Sequence, residues 1–255
     1  MNEYRSSPRL EGIQEAAKFT KLGIEVPYQP DWSDEEVDNF RGFEIKGRNT
    51  EIGRGQTKCW LGHLNVLHEI INQQWTTALI MEDDADWDIA IKEQMSLIAP
   101  LIREVTMTKD AGGSPYGDSW DLLWLGHCGD AFPAQIKTAF IDWTLPVSPL
   151  YRENDGKYTR FPTQLRMVYK SDGPICTYAY AVTAHAASRI YKLSAKGKDR
   201  LITTELREWC QGGVLRCITV NPELFHHHKQ VGQVSSEIAV VEGTVQDATV
   251  DRAGL

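Results

Sequence analysis

An apolar run of strand length, Thr77–Met81, ends abruptly in an acidic stretch, residues 82–86, in which four of five side chains are carboxylates. The run does not alternate between polar and apolar residues, which is typical of a strand buried on both faces in a parallel sheet under helices. We therefore predict a central strand over 77–81. The carboxylates that follow it would lie at its carboxyl end, where open α/β sheets bind their ligands.

Helix-type and strand-type segments alternate along the chain, which predicts an α/β fold with a parallel or mixed sheet. The clearest helix covers residues 57–74, where Trp60, Leu64, Leu67 and Ile71 form one apolar stripe. The other predicted helices cover 11–22, 89–103, 184–193 and 201–210, and the other predicted strands cover 24–28, 120–125, 176–183 and 215–220.

The chain of 255 residues fits one domain, which we place over residues 1–240, with a loosely ordered tail over 241–255. Residues 27–43 are acidic and turn-rich and are predicted to form a loop with at most one helical turn. Residues 130–172 have no clear period and are predicted to be a long irregular insertion, bounded by 128 and 174. Insertions of this kind are usually functional or mobile.

Composition excludes several classes of protein. Lys and Arg number 27 against 35 Asp and Glu, and no basic block stands out, so a nucleic-acid partner is not expected. The apolar runs are too short for a membrane helix, and residues 1–10 do not resemble a signal peptide. The sequence as written predicts a soluble cytoplasmic protein.

The five cysteines are scattered and form no C-x-x-C pair, which argues against a structural zinc site. Their odd number argues against a full disulfide framework. Cys210 and Cys217 can pair in an oxidising compartment, but free buried thiols are the favoured interpretation.

The carboxylates of the acidic stretch need positive charge nearby, and no Lys or Arg lies between Lys58 and Lys92. Oxygen ligands suit hard cations such as Mg²⁺ and Mn²⁺, which also hold phosphate groups. The alternatives are a solvated acidic loop, or capping of the next helix by Asp86 or Asp88.

Histidines supply a second group of candidates. In an extended chain, His226 and His228 face one side and His227 the other, and one of these histidines is a candidate metal ligand or phosphate contact. The alternative is a surface run of histidines. His63 lies beside the apolar stripe of the helix over 57–74, where a packed structural role is the simpler explanation.

No phosphate-binding glycine loop and no nucleophile elbow is present. Five segments, in order, instead resemble glycosyltransferase family 25, in particular its fungal members. These segments are 59–64 (CWLGHL), 78–84 (ALIMEDD), 120–126 (WDLLWLG), 177–183 (TYAYAVT) with Ala186 and Ala187, and 225–228 (FHHH) with 235–238 (SSEI).

The resemblance implies a GT-A fold, with a Rossmann-like mixed sheet, and inverting transfer of a hexose, galactose or glucose, from a UDP-sugar to a glycan or protein hydroxyl. It implies that Asp84 ligates Mn²⁺ or Mg²⁺, and that Glu82 and Asp83 contact the ribose or support the metal shell. Asp86, His226 and His228 are further candidate metal ligands, and Arg9 and His63 are further candidate donor contacts.

Inversion requires a general base on the acceptor hydroxyl. The candidates are Asp130, Asp172 and Glu205. Relatives carry an aspartate near Thr203, so Glu205 is its possible replacement, and Glu237 stands where the final motif usually has aspartate.

The resemblance also implies that the family's first strand is missing from this chain. A truncated or degenerate relative, which binds a nucleotide-sugar or a partner without turnover, is therefore the competing interpretation. A metal-dependent phosphohydrolase is a third. If an N-terminal anchor is missing as well, the location becomes the lumen of the endoplasmic reticulum or Golgi.

Overall fold

The computed structural model describes residues 7–42, 52–109, 113–135, 137–145, 150–152, 158–160, 164–195 and 197–227. These residues form six helices and ten strands. The helices are α1 (Pro8–Thr20), α2 (Asp34–Gly42), α3 (Arg54–Asn72), α4 (Ile91–Val105), α5 (Ala184–Ser194) and α6 (Ile202–Gln211). The strands are β1 (Thr77–Met81), β2 (Ala85–Trp87), β3 (Leu122–Gly126), β4 (Ala139–Ile141), β5 (Leu150–Arg152), β6 (Tyr158–Arg160), β7 (Leu165–Lys170), β8 (Ala179–Thr183), β9 (Cys217–Asn221) and β10 (Phe225–His227).

Six strands form one mixed sheet in the order β1-β8-β3-β9-β7-β4. Strands β1, β3, β9 and β4 run in one direction, and β8 and β7 run in the other. The carboxyl ends of β1, β3 and β9 therefore share one edge of the sheet. Strands β2 and β10 form a separate antiparallel pair, as do β5 and β6.

Helices cover both faces of this sheet. Leu122 and Trp124 of β3 belong to the core under α3, α5 and α6. Leu123 and Leu125 of the same strand belong to the core under α1 and α4. Successive side chains of a strand point to opposite faces, so a strand that feeds two cores must be apolar throughout. The α/β prediction, a mixed sheet flanked by helices, is confirmed.

Strand β1 has the predicted bounds but not the predicted place. Among the strands of the described residues it lies at the edge of the sheet, and Ile80 is its one buried residue. The prediction of a central strand was wrong because an apolar run alone does not distinguish a covered strand from one paired on a single side. Residues 7–42 and 52–76 form no strand, so none of them lies beside β1.

Two predictions near the start of the chain were wrong. Residues 24–28 are irregular rather than a strand, since Ile24 packs against the core under α1 and α4 and the Tyr28 carbonyl accepts a bond from Asn65 Nδ2 at 2.7 Å. The predicted loop over 27–43 contains the nine-residue helix α2. Ser33 and Glu36 bond reciprocally at its start and form a capping box, a signal that is present in the sequence.

The predicted irregular insertion contributes two strands, β4 and β7, to the main sheet. Strand β7 was missed because it lacks alternation and contains an arginine, Arg166, that is 2% exposed. Met167, Val168 and Tyr169 are buried as well, so both faces of the strand are covered.

The buried Arg166 is paired. Its Nε lies 2.6 Å from Asp142 Oδ2, and its Nη1 donates to the carbonyls of Pro222 and Glu223. Burial opposes ionisation of Asp142, but bonds from Thr144 and Arg166 outweigh it and hold the pKa of Asp142 below its usual value. The pair therefore fixes the connection between β9 and β10.

The cysteine prediction was also wrong. Cys128 pairs with Cys176, 48 residues away, and Cys210 pairs with Cys217 across the turn between α6 and β9. Cys59 remains as the free thiol. Spacing alone did not reveal the first pair, because its partners meet only when β3 and the segment before β8 come together.

Among the described residues, no helix combines the length and the apolar character needed to cross a bilayer.

We expect Arg166→Gln to lower the free energy of unfolding at neutral pH by about 3–5 kcal/mol, because it leaves the buried Asp142 carboxylate without its positively charged partner. A carboxyl group whose pKa is lower in the folded chain than in the unfolded chain stabilises the fold at pH values above its unfolded pKa. This contribution is lost as the pH falls through the folded pKa. The difference from wild type should therefore shrink below about pH 4. Urea unfolding of the wild type and the variant at pH 7 and at pH 3.5 measures the difference in their free energies of unfolding at each pH. An equal difference at the two pH values would contradict this prediction.

Candidate metal centre

The acidic stretch forms a tight turn between β1 and β2. Its first residue is anchored by a bond from Glu82 N to the Tyr178 carbonyl at 2.9 Å. The turn closes with a bond from Ala85 N to the Glu82 carbonyl at 3.2 Å. Glu82, Asp83 and Asp84 consequently lie together at the carboxyl end of β1, as the sequence predicts.

Strand β10 brings histidines to this turn. In its pairing with β2, Phe225 lies opposite Trp87, His226 opposite Asp86, and His227 opposite Ala85. Directly opposed residues share a face of an antiparallel pair. His227 therefore lies on the face of Ala85, and His226 lies on the other face with Asp86.

A glycine allows β10 to approach the main sheet. A Cβ at Gly126, the last residue of β3, would lie 2.9 Å from the Phe225 Cβ, the Phe225 carbonyl and Ala179 N. The Phe225 ring then packs edge-on against Trp87, with centroids 5.8 Å apart. This close approach places the next residues of β10 beside the acidic turn.

Asp84 is the carboxylate at the centre of this arrangement. Its side chain is 13% exposed, and its Oδ2 lies 3.2 Å from His227 Nε2 and 3.5 Å from Arg9 Nη1. Its Oδ1 is buried and has no hydrogen-bond partner among the described residues. A buried carboxylate oxygen without a partner is costly, so this atom is suited to a ligand.

The side chains that contact the Asp84 carboxylate come from residues distant in sequence. Arg9 is 75 residues away and His227 is 143 residues away. Arg9 lies in the first turn of α1, whose last residue, Thr20, accepts a bond from Trp87 Nε1 at 3.0 Å. Arg9 also lies 4.0 Å from Asp83, whose side chain is 53% exposed. Helix α1 thus holds the guanidinium over the acidic turn.

The residues present fit a divalent cation such as Mn²⁺. Asp84 offers an unpartnered Oδ1, and His227 Nε2 lies 3.2 Å from the other oxygen of the same carboxylate, Oδ2. The Tyr178 ring, centred 5.1 Å from the His227 ring, flanks the site. Carboxylate and imidazole are ligands of divalent transition metals, and a cation held by few side chains keeps positions for phosphate oxygens.

Two other predicted ligands lie elsewhere. His226 is 51% exposed and its Nδ1 lies 3.4 Å from Glu223 Oε1. Asp86 accepts a bond from the N–H of Trp87 at 2.8 Å. They share a face with each other rather than with His227. His228 and Glu237 lie outside the described residues.

Glu82 and His63, both predicted donor contacts, come together on the α3 side of the turn. His63 Nε2 lies 3.5 Å from Glu82 Oε1, and Thr177 Oγ1 donates to the same oxygen. The other ring nitrogen of His63 lies 2.9 Å from the Tyr180 hydroxyl. His63 is 7% exposed, so it is both packed and directed at the acidic turn.

Asp130 and Asp172, two of the candidate bases, form a separate cluster. The Asp130 carboxylate is fully buried and accepts bonds from Ser171 Oγ at 3.1 Å, Thr219 Oγ1 at 2.6 Å and Asp172 N at 3.3 Å. Burial raises the pKa of Asp130, against the opposing effect of the bond from Thr219. These contacts describe an anchor between β3, β7 and β9.

The remaining candidates differ in exposure. Asp172 is exposed, two residues after the end of β7. Glu205 is buried on α6, where its carboxylate lies 3.4 Å from Lys198 Nζ and 3.7 Å from Arg200 Nη1. Thr203, where relatives are expected to carry aspartate, accepts a bond from Cys176 N at 2.7 Å.

Three residues near the acidic turn are not predicted from the sequence: His227, Tyr178 and Cys59. Alternation shows which histidines share a side, but not which side faces the turn. Cys59 and His63 are four residues apart on a helix, a spacing that places side chains on one face, and this signal was available in the sequence.

No known family model matches the sequence, and no curated protein matches it. The resemblance to glycosyltransferase family 25 therefore rests on the motifs alone.

We expect His227→Gln to weaken Mn²⁺ binding by at least about tenfold, because it removes the ring nitrogen beside Asp84. His226→Gln is the matched control, since it changes the neighbouring histidine on the opposite face. Free Mn²⁺ can be followed by its electron paramagnetic resonance signal during titration. Equal affinities of the two variants would remove His227 from the candidate centre.

Proposed function

We propose that the chain is a metal-dependent inverting glycosyltransferase of the GT-A type, which moves a hexose from a UDP-sugar to a hydroxyl acceptor. The observation that carries the proposal is the pairing of Asp84 with His227 at the carboxyl end of a sheet strand, with a buried carboxylate oxygen left unpartnered. The motif resemblance to family 25 supports the donor assignment.

The chemistry of the leaving group explains why such a site suits the reaction. When the sugar leaves, negative charge grows on the diphosphate, and a divalent cation bound at Asp84 and His227 would compensate that charge. Arg9, 3.5 Å from Asp84, adds a positive group that can contact a phosphate oxygen. Asp83 is exposed beside it and is available to the ribose hydroxyls.

The general base remains one of three predicted residues. A base must come within hydrogen-bond reach of the acceptor hydroxyl. Exposure favours Asp172, whereas Asp130 is enclosed by its hydrogen bonds and Glu205 by two cations. Trp143 is 76% exposed and lies just after the end of β4, at the edge of the sheet that carries the acidic turn. It is a candidate platform for an acceptor sugar.

A relative that binds a nucleotide-sugar without turnover is the second candidate. Two observations favour it: β1 has a sheet partner on one side only among the described residues, and Arg9 already lies against Asp84. Both features would weaken a donor pocket, the first by leaving its wall incomplete and the second by competing with the cation.

A lumenal location accompanies the proposal. The two disulfides, Cys128–Cys176 and Cys210–Cys217, are typical of proteins that fold in an oxidising compartment. They support the endoplasmic reticulum or Golgi over the cytoplasm.

Calorimetric titration of UDP into the full chain tests the donor site. We expect binding with Mn²⁺ that disappears with EDTA, and a loss of at least about tenfold, or 1.4 kcal/mol, in Asp84→Asn. That substitution removes charge with little change in volume. Asp118→Asn, an exposed carboxylate in the loop before β3, is the control and should bind as wild type does.

Incubation with UDP-galactose and UDP-glucose then separates the two candidates. Release of UDP that requires Mn²⁺ and Asp84 supports the transferase. Metal-dependent UDP binding without any release, across an acceptor series of glycans and hydroxylated peptides, supports the non-catalytic relative. UDP binding whose affinity is unchanged by EDTA and by the Asp84→Asn substitution would contradict the proposed site.

A further inference from the structure

A second group of ligand-type side chains lies on the other side of the acidic turn. Cys59, His63 and Glu82 each offer a ligand atom, and the three atoms lie within 4.8 Å of one another. Helix α3 supplies the first two, one turn apart, and the end of β1 supplies the third. The cluster shares only Glu82 with the acidic stretch and includes neither Asp84 nor His227.

The hydrogen bonding of His63 suits a metal ligand. Its Nδ1 lies 2.9 Å from the Tyr180 hydroxyl, so Nδ1–H can donate to that oxygen and leave Nε2 unprotonated. Nε2 is the atom that faces Glu82 at 3.5 Å. Metal-bound histidines commonly donate their second ring N–H to a neighbouring oxygen in this way, which fixes the ring and its tautomer.

Glu82 is held by a neighbour too. Thr177 Oγ1 donates to Oε1 of Glu82, and the backbone N–H of Glu82 bonds to the Tyr178 carbonyl. In a tetrahedral zinc site with ligand bonds of about 2.0–2.3 Å, neighbouring ligand atoms lie roughly 3.3–3.8 Å apart. The 3.5 Å between His63 and Glu82 is within that range, so only a small movement of Cys59 is needed to complete three ligands.

We propose that Cys59, His63 and Glu82 bind Zn²⁺, with the fourth position open to water or another ligand. A thiolate and an imidazole favour zinc over the hard cations expected at Asp84, and three protein ligands with one open position are the pattern of non-structural zinc sites. The C-x-x-C rule does not detect such a site, because its ligands come from a helix turn and a strand end.

Binding is a proton exchange. The Cys59 thiol loses its proton to solvent and its sulfur forms a bond to the metal, while His63 binds through an unprotonated Nε2 and Glu82 binds as its carboxylate. Each Zn²⁺ therefore releases the thiol proton together with any proton that His63 Nε2 carries before binding. The bound ion would join α3 to the end of β1.

The disulfides allow a selective test. Four of the five cysteines are paired, and Cys59 is the free one. In the absence of thiol reductants, only Cys59 can give a thiolate-to-cobalt charge-transfer band when Co²⁺ is titrated into the full chain. Co²⁺ bound by the histidine run or by Asp84 gives no such band.

We expect the band in the wild-type chain, its displacement by one equivalent of Zn²⁺, and its loss in Cys59→Ser. Tyr180→Phe, which removes the hydroxyl beside His63 and keeps the ring, should weaken Zn²⁺ affinity by roughly 10–100-fold. His68→Gln is the matched control, because His68 is exposed one turn further along α3. Circular dichroism of each variant establishes that it is folded.

Absence of the band in the wild-type chain, or its persistence in Cys59→Ser, overturns the proposal. Unchanged affinity in a folded His63→Gln variant does so as well. The result is independent of the proposed transferase activity: Cys59→Ser should retain Mn²⁺-dependent UDP binding, whereas Asp84→Asn should retain the cobalt band. Each site can therefore fail without the other.

Discussion

The short antiparallel pairing of β2 with β10 is the interaction on which the candidate metal centre depends. It joins the acidic turn to a segment more than 130 residues later, and its register places His227 on the Asp84 side. The main sheet permits this pairing because Gly126 leaves room for Phe225. Arg166, buried in β7, stabilises this pairing by donating hydrogen bonds to the carbonyls of Pro222 and Glu223, just before β10. The positions of Asp84 and His227 therefore depend on four strands besides β1: β2, β3, β7 and β10.

The end of β1 separates two chemically different groups. On one side, the Asp84 carboxylate has the His227 imidazole and the Arg9 guanidinium as neighbours. On the other, Glu82 faces a histidine and a thiol. Hard cations prefer the first kind of environment and zinc the second. A turn of three carboxylates at an edge strand thus has the means to hold two ions of different type, because its neighbours come from different helices and strands.

The pattern of apolar residues predicted much of the fold. Strand β1 has the predicted bounds, and five predicted helices are present with ends shifted by a few residues. Sequence patterns failed where tertiary pairing decides. Strand β7 was hidden by Arg166, which is tolerated inside only because Asp142 is there to pair with it. The position of the acidic turn was predictable because it follows a strand, whereas the choice of His227 depended on a register set by a distant segment.

Pulsed electron paramagnetic resonance of the Mn²⁺-loaded full chain tests the central claim most directly, since it detects the nuclei bound to the metal. The account predicts a nitrogen coupling from the His227 imidazole, absent in His227→Gln, and a phosphorus coupling that appears when UDP is added. A Mn²⁺ signal with no nitrogen coupling, or one in which UDP introduces no phosphorus coupling, would contradict it.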